Sequence, residues 1–228
     1  MNESKERVVI FIDGSNHYHI IKSLFPSKKL NLFNFGKFIS TLFKNRMHIR
    51  TYYYTAPLDW KKDENAYKKQ QKFFEKLQKI PNFELVLCRM QKVKIDGKIV
   101  YQVKEDDIHL SVDMVKLAYN DAYDTAILVS SDGDFVPAID VVKERGKRVE
   151  NIGFENKFSY HLKQRCDSCR ILKRKDVETF FDEEKYETIK QNSNLPILKK
   201  VASKSKMTEK DAIELGRKIK ESAMRKNK

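Results

Sequence analysis

Two stretches carry the residues most able to do chemistry. Val8-Val9-Ile10-Phe11-Ile12 runs into Asp13-Gly14-Ser15-Asn16, and Ala126-Ile127-Leu128-Val129 runs into Ser130-Ser131-Asp132-Gly133-Asp134. In each, an apolar run that reads as a buried strand ends in a small polar turn bearing carboxylates, and a helix follows. Ligands of open α/β sheets sit at the carboxyl ends of strands. Acids gathered there are unfavourable unless a cation or a partner balances them. Mg²⁺ or Mn²⁺ answers that need, because hard ions take oxygen ligands and keep several waters, so a few carboxylates plus substrate phosphates suffice. Phosphodiester hydrolysis suits such a site: the ion lowers the pKa of an attacking water and offsets phosphate charge. No histidine or lysine base is then required, and the chain offers no evident one.

Five aspartates enter the expected site: Asp13, Asp107, Asp113, Asp132 and Asp134. Each also has a plainer reading. Asp13 and Asp134 can cap the helices that follow them, and Asp107 can cap the helix it opens. Asp132, at the mouth of a buried strand, has fewer such roles. Asp113 lies six residues after Asp107, roughly 240° around a helix, so the two do not share a face. Asn16 can orient water or phosphate, or simply satisfy its own turn. Cys166-Asp167-Ser168-Cys169 is a lone CxxC; zinc would need two further ligands, with Cys88 and His161 the only candidates, so reduced thiols are expected. Phosphate loops of the Walker or Gly-x-Gly-x-x-Gly type are absent. A dehalogenase-type phosphatase would want an acid where Ser15 stands.

The elements that must position these residues follow from patterning. Strands are expected at Val8–Ile12, His48–Tyr54, Glu84–Arg89, Thr125–Val129, Lys147–Ile152 and Cys169–Leu172. Helices are expected at His17–Phe25, Phe35–Lys44, Asp59 to about Gln78, Asp106–Asn120, Phe135–Glu144 and Phe158–Gln164. Asp96-Gly97 between alternating runs predicts a hairpin. Two apolar stripes on the helix at 106–120, one at 108, 112, 115 and 119 and one at 110, 114 and 117, predict burial on more than one side. Strands alternating with helices predict a three-layer α/β/α sandwich around a mostly parallel sheet.

The 228-residue chain holds 46 basic and 32 acidic residues, a formal charge of +14, which points to a polyanionic partner. Residues 185–228 contribute 13 basic and 5 acidic residues, +8 of that total. A domain at 1–181 is expected to be followed by a basic tail at 182–228, with a linker at Gln191–Pro196. The tail should hold an amphipathic helix at 208–224, read as a docking element for a protein partner or a second copy. No apolar run approaches the roughly 18 residues of a membrane span, no signal-peptide core opens the chain, and three cysteines fit a reducing, cytoplasmic setting. Lys104, Arg145, Lys147, Arg148, Lys163 and Arg165 fall in segments expected to border the acids and to contact phosphate.

Phe11-Ile12-Asp13-Gly14-Ser15-Asn16, Lys104-Glu105-Asp106-Asp107 with Leu110-Ser111-Val112-Asp113-Met114-Val115, and Val129 through Pro137 resemble the NYN domain family, LabA-like branch. Gly146-Lys147-Arg148-Val149 and Cys166-Asp167 extend the resemblance, which spans about residues 7–175. It implies a PIN-like, FLAP-nuclease-like fold and an Mg²⁺- or Mn²⁺-dependent ribonuclease acting on RNA. By motif position it implies Asp13, Asp107, Asp132 and Asp134 as the acidic metal site, Asn16 as the accompanying polar residue and Asp113 as an acid of this branch. The family often has Lys-Gly-Val-Asp where this chain has Lys104-Glu105-Asp106-Asp107, and Ser131 replaces a common glycine. A rival reading keeps the fold and the RNA partner but not the turnover, leaving a regulatory RNA-binding module.

Overall fold

In this computed structural model the described residues are 5–28, 30–95 and 98–181, those at 90–104 through their backbone alone. Asp96-Gly97, the Lys104 side chain, the expected linker and the expected tail helix lie outside the described residues. The described elements belong to the unit Met1–Phe180.

Strand β1 (Arg7–Asp13) leads into α1 (Gly14–Leu24), α2 (Phe35–Leu42), β2 (Met47–Thr55), α3 (Glu64–Gln78) and β3 (Phe83–Leu87). The hairpin β4 (Arg89–Ile95) and β5 (Lys98–Lys104) then interrupts the alternation. It is followed by α4 (Asp106–Tyr119), β6 (Thr125–Val129), α5 (Val136–Glu144), β7 (Arg148–Phe154), α6 (Tyr160–Arg165), β8 (Ser168–Leu172) and α7 (Arg174–Glu178). Six strands form one sheet in the order β3-β2-β1-β6-β7-β8, and every neighbouring pair is parallel. The α/β expectation holds, and the central sheet is parallel throughout. The antiparallel pair β4–β5 stands apart from it and closes with Ile95 opposite Lys98, flanking the Asp-Gly step.

From β1 the chain winds outward through β2 and β3; after the hairpin it returns to the other side of β1 and winds through β6, β7 and β8. The β1–β6 boundary is therefore the point where strand order reverses, the place at which open α/β sheets leave a crevice at their carboxyl ends. Register runs from Val8 opposite Thr125 to Ile12 opposite Val129, so Asp13 and Ser130 emerge side by side.

Burial on both faces explains why β1 and β6 read as unbroken apolar runs. Val9 and Phe11 of β1 join Ala126 and Leu128 of β6 in a core with Leu110 and Met114 of α4 and Ile139 and Val142 of α5. On the other face His17 of α1 meets Phe33, Phe35, Phe38 and Phe154 with ring centroids 5.2 to 5.9 Å away. Sequence and structure part at α4. It buries Leu110, Met114 and Ala118, with Val115 and Leu117 packed partly buried beside them, while Ile108, Val112 and Tyr119 of the stripe at 108, 112, 115 and 119 are exposed. Helix α3 starts four residues later than Asp59 suggested, because Asp63 supplies the cap by accepting the Ala66 amide at 2.8 Å.

Candidate functional site

Strand β1 delivers Asp13 to the crevice and α1 begins at once. Asp13 Oδ1 accepts the Asn16 amide at 2.9 Å, so the capping role foreseen for it is real. Its other oxygen, Oδ2, accepts from the Ser130 hydroxyl at 3.0 Å. That hydroxyl in turn accepts the Asp132 amide at 3.1 Å. One buried serine therefore ties the two acid-bearing turns together. Asn16 adds a second link, its Oδ1 accepting the Ser131 amide at 3.1 Å. Beneath them Asn151, buried in β7, donates to the carbonyls of Leu128 and Ser130 at 3.1 and 3.0 Å and holds the end of β6.

Asp132 caps the 3₁₀ turn Gly133–Phe135, its Oδ1 accepting the Asp134 amide at 3.0 Å. The capping role foreseen for Asp134 is not filled: α5 has no side-chain cap, and Asp134 is left exposed. Helix α5 follows with Pro137 in its first turn, where a missing amide hydrogen does no harm. Helix α4 starts one residue before Asp107, so Asp106 and Asp107 share its first turn. Neither caps it: the residue ahead, Glu105, stands in the left-handed region at φ 73° and makes no side-chain cap bond. Glu105 occupies the place where the family often has glycine, the residue best suited to that backbone.

Electrostatics bind these acids into one cluster. Burial pushes the Asp13 carboxyl up to about 7, against the two hydrogen bonds it accepts, with Asp107 and Asp106 adding repulsion. Burial also pushes Asp107 up to about 6, reinforced by Asp106, Asp132 and Asp134. Among the described residues none of these five acids has a lysine, arginine or histidine within ion-pair distance. Oxygen-only donors with mutual repulsion and no cationic partner among the described residues fit a hard divalent ion. They do not form a finished cage: among the described residues no group of three or more His, Cys, Asp or Glu is gathered tightly enough to hold an ion unaided. Water and substrate oxygens would have to complete the shell, as is usual for Mg²⁺.

Asp113 faces elsewhere. Its Oδ2 accepts the Tyr54 hydroxyl at 3.1 Å, and it contributes to none of the shifts within the cluster. The basic candidates divide. Lys163 and Arg165 lie on α6, whose Arg165 pairs with Asp140 at 3.4 Å. Arg145, Lys147 and Arg148 do not border the acids. They sit where β7 begins, at the amino edge of the sheet, with Lys147 paired to Asp121 and Asp124 and Arg145 over the Tyr119 ring. In a parallel sheet, residues just ahead of a strand lie at the edge opposite its ligand-binding end.

Ser130 and Asn151 escaped the reading of the sequence, in which Asp106 figured only as an extra acid beside Asp107. The available signals were a serine directly at the strand end and an asparagine inside an apolar strand. Cys88, Cys166 and Cys169 are all free thiols, and burial pushes Cys88 up to about 11 and Cys166 up to about 12.

A family model described as the NYN domain matches residues 7–173. Over 98 residues the chain is 39% identical to an uncharacterized protein of Methanocaldococcus jannaschii, a match covering 43% of this chain and 40% of that relative. The chain thus aligns with well under half of that relative's length. A crystal structure of a protein of unknown function from Vibrio parahaemolyticus has a TM-score of 0.59 at 23% identity, covering 75% of this chain and 96% of that one. At that identity the likeness speaks for the fold.

Proposed function

The chain belongs to the NYN domain family, whose fold is that of PIN-like nucleases, and on that premise we propose that it is a metal-dependent ribonuclease. The observation that carries the reading is the acid cluster at the β1–β6 crevice, unbalanced by any described cation, in a chain of charge +14. Asp13, Asp107, Asp132 and Asp134 hold Mg²⁺ or Mn²⁺ in this proposal, with Asp106 adding charge close by. When bound, such an ion lowers the pKa of an attacking water and neutralises charge on the phosphate. Ser130 and Asn16 hold the two turns in register, so that the carboxylates keep their places as the substrate arrives. Lys163 and Arg165 seat the RNA backbone. Asp113 supports the LabA-like assignment and steadies Tyr54 beside the site.

The test is cleavage of labelled RNA by the full chain with Mn²⁺ or Mg²⁺, compared with EDTA and with Asp132→Asn. Cleavage lost in both controls supports the reading; cleavage surviving both overturns it. RNA binding with no metal-dependent cleavage, unchanged in Asp132→Asn, would instead support the regulatory module. No helix among the described residues is long and apolar enough to cross a membrane. A cytoplasmic location and a docking role for the tail belong to the same proposal.

A further inference from the structure

Beside the acids lies a cleft of about 640 Å³, bounded by Asp134, by Val136 and Pro137 of α5, and by His161, Gln164 and Arg165 of α6. The three α6 residues are spaced i, i+3 and i+4, so they present one face of that helix to the start of α5. We propose that this cleft seats one unpaired nucleobase of the RNA, next to the phosphate held at the acid cluster. The proposal rests on the ribonuclease reading and adds a place for one base, between α5 and α6, beside the acids.

The cleft is open to solvent, with polar and apolar lining in nearly equal parts, which suits one base of a longer strand rather than an enclosed small molecule. Val136 and Pro137 give the cleft its apolar side, against which a heterocycle can pack. His161 and Gln164 carry donors and acceptors that can face a base edge. The Arg165 guanidinium pairs with Asp140 at 3.4 Å, and its backbone carbonyl accepts from the Lys143 ammonium at 2.8 Å. Its exposed guanidinium can reach a flanking phosphate. Asp134 belongs to both places: it lines the cleft and stands in the 3₁₀ turn capped by Asp132. A nucleotide bridging the two needs its base out of the stack, the state in which proteins read RNA bases most fully.

The test uses the full chain carrying Asp132→Asn, so that RNA is bound and not cut, with a short fluorescein-labelled single-stranded RNA and its duplex. His161 and Gln164 are exposed, so the added pair His161→Ala and Gln164→Ala leaves the fold intact, as a melting curve verifies. The pair is expected to weaken single-strand binding about tenfold, in line with the loss of one seated base, and to leave duplex binding unchanged. In the native chain uridine and adenosine monophosphates are expected to shift the His161 imidazole resonances, while ribose 5-phosphate does not. Unchanged single-strand affinity in the double variant, or equal shifts from ribose 5-phosphate, overturns the cleft assignment even if RNA is still cleaved with Mn²⁺. Base-dependent shifts in a chain that cuts no RNA would keep the nucleotide seat and sink the ribonuclease reading.

Discussion

Asp13 is the most strongly raised carboxyl of the acid cluster. Its folded carboxyl titrates at about 7, against about 3.8 when unfolded. Between those values the folded state keeps a proton that the unfolded state has released, so metal-free stability falls as pH rises through that window and levels off above it. Asp13→Asn reduces the slope, leaving the part that Asp107, itself pushed up to about 6, contributes. The variant should exceed the native chain in stability by on the order of 2 kcal/mol at pH 8, the two converging near pH 4, as read by urea melts in EDTA. Equal pH dependence in both proteins would contradict the burial account. Ser130 makes a different claim. Its hydroxyl bonds both Asp13 and the Asp132 amide, so Ser130→Ala strands two buried groups. It should lose about 1–3 kcal/mol of stability and weaken Mn²⁺ binding together. If Mn²⁺ affinity stays at the native level, the serine does not organise the acids. The acids themselves were legible because carboxylates after apolar runs stand out. The serine was not, since its importance depends on which strand lies beside β1.

The elements convert strand ends into a site through close approach, and Gly14 is where that approach is tightest. A Cβ there would overlap the Tyr53 ring and lie 2.5 Å from the Tyr54 carbonyl oxygen. A ring can tilt away, but a strand carbonyl cannot move without disturbing the β1–β2 pairing. Gly14→Ala should therefore destabilise the protein by about 1–3 kcal/mol, and a thermal melt within the native range would contradict the packing described for α1 against β2. Patterning found most elements because period-2 and period-3.6 signals are local. It misjudged α4, where Ile108, Val112 and Tyr119 keep helical spacing yet face outward. Spacing shows that residues share a face and says nothing of what that face meets. Likewise Asp59 and Asp63 are both good caps, and only the tertiary position of α3 selects the second.

At the scale of the molecule, strand order decides which chemistry meets which. The reversal between β1 and β6 brings together acids more than a hundred residues apart. The same parallel sheet sends Arg145, Lys147 and Arg148 to the far edge, a consequence of strand direction that no residue-by-residue reading contains. Charge acts over the whole chain as well. Because residues 191–228 hold 11 basic and 4 acidic residues, +7 of the +14, truncation after residue 190 should weaken RNA binding and flatten its salt dependence while metal-dependent cleavage persists. An unchanged salt slope would remove the tail from RNA attraction. The most direct measurement of the central claim is an anomalous difference map from crystals soaked in Mn²⁺. The account predicts a peak between Asp13 and Asp132, within reach of Asp107 or Asp134, that disappears in Asp132→Asn. Cleavage-competent crystals with no peak there, or with manganese bound only elsewhere, would contradict it.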